Sequence, residues 1–129
     1  MASRHLLDAH FASRAVAVVY RTKSPKHVHE TRAVVGHSKV VVQKGGTQRT
    51  RSTLRDYLIR RDSLAEVTEP KAGDIIEQEF GGGISALFEV TKNPETGAVY
   101  RWHDRDRTTW RIHSRETGVT VTPEPEAAS

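Results

Sequence analysis

The sequence predicts a mainly β fold, a small β-barrel or sandwich with a short N-terminal helix and hairpin loops, on three observations. Valine occurs 14 times against 6 leucines, and β-branched side chains suit a pleated, half-buried surface better than a helix. Short apolar stretches alternate with turn signals at intervals of about 10 residues, the spacing of small all-β domains. Both tryptophans fall in one late stretch, Tyr100–His113, beside four arginines, two aspartates and two histidines. As a strand, that stretch turns Trp110 and Ile112 to one face and Arg111 and His113 to the other. The first pair is expected in the core and the second outside.

Taken in order, Ser3 to Ala12 reads as a short helix, with Ser3 as N-cap and Leu7 and Phe11 one turn apart. A helix of this length is marginal alone and must dock on something. Ala15–Lys23 reads as a strand ended by Ser24-Pro25. Val28–Val35 and Lys39–Lys44 read as two more, linked by Gly36-His37-Ser38, and Gly45-Gly46 supplies a hairpin turn. Thr50–Arg61 is ambiguous: Leu54 and Leu58 fit a helix, whereas Leu54, Asp56 and Leu58 on one face with Tyr57 and Ile59 on the other fit a strand. The flanking hairpins favour the strand. Ser63-x-x-Glu66 resembles a capping box for one helical turn. Pro70–Asp74 is a turn launching Ile75–Phe80, and Gly81–Gly83 links this to Ser85–Thr91. Asn93–Gly97 is another turn, after which Val99–Trp102 and Thr108–Val121 complete the set.

A chain of 129 residues fits one domain, expected over residues 1–122, with a flexible acidic tail over 123–129. Counting glycine but not tyrosine, about 40% of residues are apolar against a usual ~45–50%. So lean a core leaves room for stabilisation by neighbouring copies. Cysteine is absent, which excludes disulfides and thiolate metal sites and fits a reducing cytosol. No apolar run approaches the ~20 residues of a membrane-spanning helix, so no membrane is expected as a partner. The opening residues, with a charge inside a short apolar patch, do not form a signal peptide.

Charge is unevenly spread. Residues 1–61 hold 13 Lys/Arg against 3 Asp/Glu, and residues 62–129 hold 7 against 13, so +10 faces −6 within a net +4. Such asymmetry reads as nucleic-acid affinity, as head-to-tail complementarity between copies, or as charge spread over a solvated surface. Lys44, Arg49, Arg51 and Arg55 cluster around the Gly45-Gly46 turn. They are a loop reaching phosphate, a contact to a neighbouring copy, or a solvated hairpin tip. Stacking aromatics are missing there, which weighs against single-strand binding.

Catalytic and metal readings find little. Gly81–Gly83 lacks the Gly-Lys-Ser/Thr of a phosphate loop and reads as a hairpin. His27-x-His29 places two imidazoles on one strand face without a third ligand, and His103-Asp104 lacks the partners of a metallophosphohydrolase. No Gly-x-Ser-x-Gly elbow and no serine with a locally placed base occurs. No enzyme activity and no cofactor are expected.

The ordered series Arg55-Asp-Tyr-Leu-Ile59, Pro70-x-x-Gly73-Asp-Ile-Ile76, Phe88-Glu-Val90, Tyr100-x-Trp102-x-Asp104 and Arg111-Ile-His113 resembles the head–tail joining proteins of tailed bacteriophages, also called head-closure or stopper proteins. The resemblance spans Arg55 to His113. It implies a β-barrel decorated by a helix and loops, and a structural virion protein located at the neck. Copies would form a ring, six-fold or twelve-fold, between a portal or adaptor and a tail or tail-terminator protein. Double-stranded DNA would pass through that ring, which would help retain the packaged genome. Proteins of this kind carry no catalytic residues, and the motif residues Asp56, Gly73, Asp74, Trp102, Asp104 and Arg111 are implied to be structural. The alternative is a nucleic-acid-binding β-barrel module, drawn from the basic half.

Overall fold

A computed structural model describes residues 14–24, 26–44, 48–64 and 66–121, with backbone alone over 42–44 and 48–52. The helix expected over Ser3–Ala12, the Gly45-Gly46 turn and the acidic tail lie outside the described residues.

Seven antiparallel strands form one sheet: β1 (Val16–Arg21), β2 (Val28–Lys44), β3 (Gln48–Arg60), β4 (Ile75–Gly81), β5 (Ile84–Val90), β6 (Tyr100–Trp102) and β7 (Thr109–Val121). Pairing runs β3-β2-β1-β4-β5-β7-β6, and a further β3–β7 ladder joins the ends, so six strands close a barrel with β6 as an outlier on β7. Closure removes sheet edges and bends the strands, which irregular register eases. The ladder slips between Glu79 and Gly81 against β5, and again where Leu87 faces Gly118 but Phe88 faces Glu116. Each slip adds a local bend.

The core follows from the period of 2. Val18 and Tyr20, Tyr57 and Ile59, Ile76, Ala86, Phe88 and Val90, and Trp110 and Ile112 form one buried cluster with Ala33, Leu64 and Val67. Successive members on each strand are two apart, so one face of each strand fills the barrel. Trp110 is fully buried and stacks on Trp102, with centroids 5.9 Å apart and planes 23° from parallel. Its pairing partner in the ladder is that same Trp102, and Tyr100 lies edge-on to both rings.

The strand reading of Thr50–Arg61 is the correct one. Leu54, Asp56 and Leu58 share one face and Tyr57 and Ile59 the other, yet all five are buried. Burial on both faces places apolar residues on both, which is why periodicity alone is equivocal.

Three expectations are corrected. First, Val28–Lys44 is one continuous strand of 17 residues, so Gly36 is a point of close approach and no break. A Cβ added at Gly36 would stand 3.2 Å from Arg111 Nη2, so the missing side chain leaves room for that guanidinium. Second, Ser63 does not cap a helix. A 3₁₀ turn already spans Arg61–Leu64, with the Ser63 hydroxyl donating to the Arg60 carbonyl at 2.7 Å and accepting from Thr31 Oγ1 at 2.8 Å. Third, Arg111 and His113 do turn away from the barrel interior but do not enter solvent; His113 is buried and Arg111 half-buried.

The turns follow their glycines. Gly81, Gly82 and Gly83 have φ of 88°, 63° and 75°, the left-handed region that a β-carbon disfavours, which explains the triple glycine of the β4–β5 hairpin. At Asn93–Gly97 the side chain of Asn93 accepts the Glu95 N–H at 2.8 Å and its carbonyl accepts the Gly97 N–H at 2.7 Å.

Trp110 combines full burial with an indole stack, so Trp110→Ala is expected to destabilise the chain by about 3–5 kcal/mol in chemical denaturation. A loss below about 1 kcal/mol would place the ring outside the stabilising core.

Candidate functional site

β3 and β7 run side by side with Asp56 opposite His113, and β2 sets Gly36 opposite Asp56. On the outer face of these three strands the Asp56 carboxylate is fully buried. A charge in such a place requires partners, and three converge on it. His113 Nδ1 lies 2.9 Å from Oδ1, Arg111 Nε donates to Oδ2 at 2.6 Å, and the Ser38 hydroxyl donates to Oδ2. Arg111 also donates from Nη2 to the His37 carbonyl at 3.0 Å, across the gap that Gly36 leaves open. Burial alone would push the Asp56 carboxyl up; the hydrogen bonds from His113, Ser38 and Arg111 outweigh it and hold the group below the usual carboxylate range.

The segment between β5 and β6 closes over this face. Its Glu95 Oε1 accepts the Val41 N–H at 2.7 Å, while Thr91 N–H bonds the His113 carbonyl and His113 N–H bonds the Val99 carbonyl. Val40, Leu54 and Leu58, on the same side as Asp56, are buried. The barrel therefore has a second, smaller interior outside its wall, with Asp56 at its polar centre.

Two further aspartates each organise a turn. Asp74 Oδ2 accepts the Tyr20 hydroxyl at 2.6 Å and the Lys71 N–H at 3.0 Å, and Oδ1 accepts the Lys23 N–H at 3.0 Å. Burial pushes the Tyr20 phenol far up, and the Asp74 carboxylate beside it adds to the effect. Gly73 takes φ 95° to start β4 from this turn, and its N–H bonds the Val90 carbonyl at 3.0 Å. Asp104 accepts the Thr108 and Thr109 N–H groups at 2.9 and 3.0 Å, and the Thr108 hydroxyl as well. Those bonds outweigh its burial and hold Asp104 below the usual range. Asp56, Gly73, Asp74, Trp102, Asp104, Trp110 and Arg111 are thus not one site; they lie in a buried network, two turns and an indole stack.

The basic cluster sits elsewhere. β3–β7 pairing ends at Arg55 opposite Ser114, yet β2–β3 pairing continues to Lys44 opposite Gln48. The residues Gln48–Leu54 therefore extend the hairpin roughly 20 Å past the closed barrel. Along it Gln43 faces Arg49 and Val41 faces Arg51, so Lys44, Arg49 and Arg51 all fall in the last few pairs. Arg55 differs, being half-buried at the barrel mouth. Its guanidinium donates to Gln78 Oε1 at 2.9 Å and to the Tyr57 hydroxyl at 3.0 Å, and lies 4.9 Å from the Phe88 ring centroid. Burial pushes the Tyr57 phenol up to about 12, with Arg55 opposing.

The metal readings gain no support from the geometry. The rings of His27 and His29 stand 6.1 Å apart, and among the described residues no group of three His, Asp or Glu is placed to hold an ion. Both oxygens of Asp104 are occupied by its own turn.

Sequence reasoning missed three participants, Ser38, His113 and Gly36, because their roles depend on contacts across three strands. One signal was available: an aspartate set between Leu54 and Leu58 on one strand face must either break the strand or find buried partners.

Removing one partner of a buried ion pair leaves the other charge uncompensated. Asp56→Asn is therefore expected to destabilise the chain by about 3 kcal/mol in urea or guanidinium titration. Because its folded-state value lies below the ordinary aspartate value of about 3.8, the contribution of Asp56 is fully present above that pH and is lost as pH falls through the folded value. The wild type should lose stability more steeply than Asp56→Asn below about pH 4; parallel acid-unfolding curves would contradict this.

Comparison with known proteins agrees with the resemblance and widens it. The family model described as phage head-tail joining protein matches residues 1–120, well beyond the Arg55–His113 stretch that carries the motifs. No curated protein matches the chain. With 120 of its 129 residues covered, the chain belongs to the phage head-tail joining protein family.

Proposed function

We propose that this protein works as a structural ring at the phage neck and performs no reaction. Copies assemble between the portal or adaptor and the tail or tail terminator, in six-fold or twelve-fold symmetry. The ring lines the channel for double-stranded DNA, helps retain the packaged genome and presents the surface to which the tail attaches. The observation that carries this reading is the family match over residues 1–120.

The geometry supports it in two ways. A closed barrel with a long projecting hairpin offers dissimilar surfaces on opposite sides, as a head-to-tail contact around a ring requires. Charge is also divided along the chain, with +10 over residues 1–61, which include the hairpin and three barrel strands, and −6 over the remainder. Within this reading the cations of the hairpin, Lys44, Arg49 and Arg51, face the DNA, where they need contact only the phosphate backbone.

Two experiments test the proposal. Particles assembled without this protein are expected to be DNA-filled heads that leak their genome or fail to gain tails, counted by electron microscopy; normal tailed virions would contradict a neck role. Virions carrying Lys44→Ala, Arg49→Ala and Arg51→Ala together are expected to keep the ring but release DNA more readily on mild heating. Necks devoid of the protein would instead assign those cations to subunit contact.

A further inference from the structure

Beyond Arg55 opposite Ser114 the β3–β7 ladder stops, although both strands continue. β3 reaches back to Gln48 on its β2 pairing, and β7 runs on to Val121 on its β5 pairing. Each therefore presents a backbone edge, Gln48–Leu54 on β3 and Arg115–Val121 on β7, to which no described strand is joined. An unpaired edge is a template for a further strand. Between the two edges lies a cleft of about 430 Å³, with Thr53 and Arg55 on one side and Phe80, Ile84, Phe88 and Val119 on the other.

Exposed apolar surface gathers at this mouth. Val121 pairs with Ile84, and Val41 lies two residues from Lys39, the partner of Thr53, so alternation turns both valines to the cleft side. Of the six large apolar side chains exposed among the described residues, five (Val41, Phe80, Ile84, Val119 and Val121) thus face the mouth. Its charge is cationic. Arg55 is half-buried at the inner end, and its partners, Gln78 and the Tyr57 hydroxyl, are neutral. Lys39, on the same face, and Arg115 are exposed, and Glu116 is the one carboxylate in the lining. None of these three cations forms an ion pair among the described residues. A cation held partly out of water without an anion favours an anionic visitor. β7 leads away from Arg55, so a strand added antiparallel to it runs inward and brings its C-terminal end to that guanidinium. A second copy is a poor source for such a strand. Every described strand is committed to the barrel except β6 at its outer edge, and Tyr100-Arg-Trp102 carries a cation in place of a carboxylate.

We propose that the mouth receives an extended segment of another protein, added as a strand antiparallel to β7 along Arg115–Val121. Its alternate apolar side chains lie against Phe80, Ile84 and Val119, and a carboxylate near its C-terminal end meets Arg55. Backbone pairing supplies affinity and the alternate side chains supply selectivity. The inference rests on the open edges and the lining between them, not on the neck assignment.

The test uses the full-length chain and a synthetic probe. This is a fluorescently labelled, C-terminally amidated peptide of seven residues, with valine at its second and fourth positions, glutamate at its sixth and threonine elsewhere. In fluorescence anisotropy it is expected to bind saturably, about tenfold more tightly than the same peptide with glutamine at the sixth position. N-methylation throughout the peptide backbone, which removes the donors of a ladder, is expected to abolish binding. Phe80→Ser with Val119→Ser, both exposed positions, is expected to weaken binding about tenfold with an unchanged far-ultraviolet circular dichroism spectrum. Absence of binding, equal binding of the glutamine or N-methylated peptide, or undiminished binding by the double variant would each overturn the proposal. The two control peptides decide the matter on the wild-type chain even if the variant fails to fold. A dimer that forms with rising concentration and is dissolved by Phe80→Ser with Val119→Ser would assign the mouth to a second copy and overturn it as well.

Discussion

A single buried carboxylate ties the closing strands together. Asp56 on β3 takes bonds from Ser38 on β2 and from Arg111 and His113 on β7, so one anion links three strands of the closed barrel. The β3–β7 ladder is the seam that converts an open sheet into a barrel, and Asp56 lies within that seam. A buried charge-assisted network contributes geometric uniqueness more than net stability, since its desolvation cost is large. Here that uniqueness fixes register. A slip of one residue between β3 and β7 would turn Asp56 into the apolar interior and Tyr57 out of it.

The remaining architecture follows from this seam. With register fixed, Tyr57 and Ile59 face inward beside Ile112 and Trp110. Gly36 is left without a side chain so that Arg111 can cross to β2. The segment 91–99 then folds over the outer face and buries it. Where the seam ends at Arg55, the walls separate, the hairpin projects and the cleft opens. The same boundary thus positions both the basic projection and the apolar mouth.

Much of this was legible in the sequence. Strand positions could be read because period-2 alternation and turn chemistry are local: Gly81–Gly83, Asn93–Gly97 and Pro70–Asp74 all mark turns where expected. Trp110 and Ile112 could be placed inside because alternation decides facing. What the sequence concealed was long-range. Gly36 signals a break in isolation, and only Arg111 arriving from 75 positions away makes it a mid-strand contact. His113 signals an exposed position until a distant loop covers the outer face. The cleft is invisible to any local window, because it exists only where the β3–β7 ladder stops and strands distant in sequence part.

Family membership and architecture are consistent with the proposed neck role: a closed barrel, tied across its closing strands by one buried carboxylate, with a basic hairpin projecting from it. Electron microscopy of intact virions labelled on this chain tests that claim most directly. Label confined to the neck, between capsid and tail, in a symmetric ring of copies is the predicted result; label on the capsid shell or along the tail tube would contradict it.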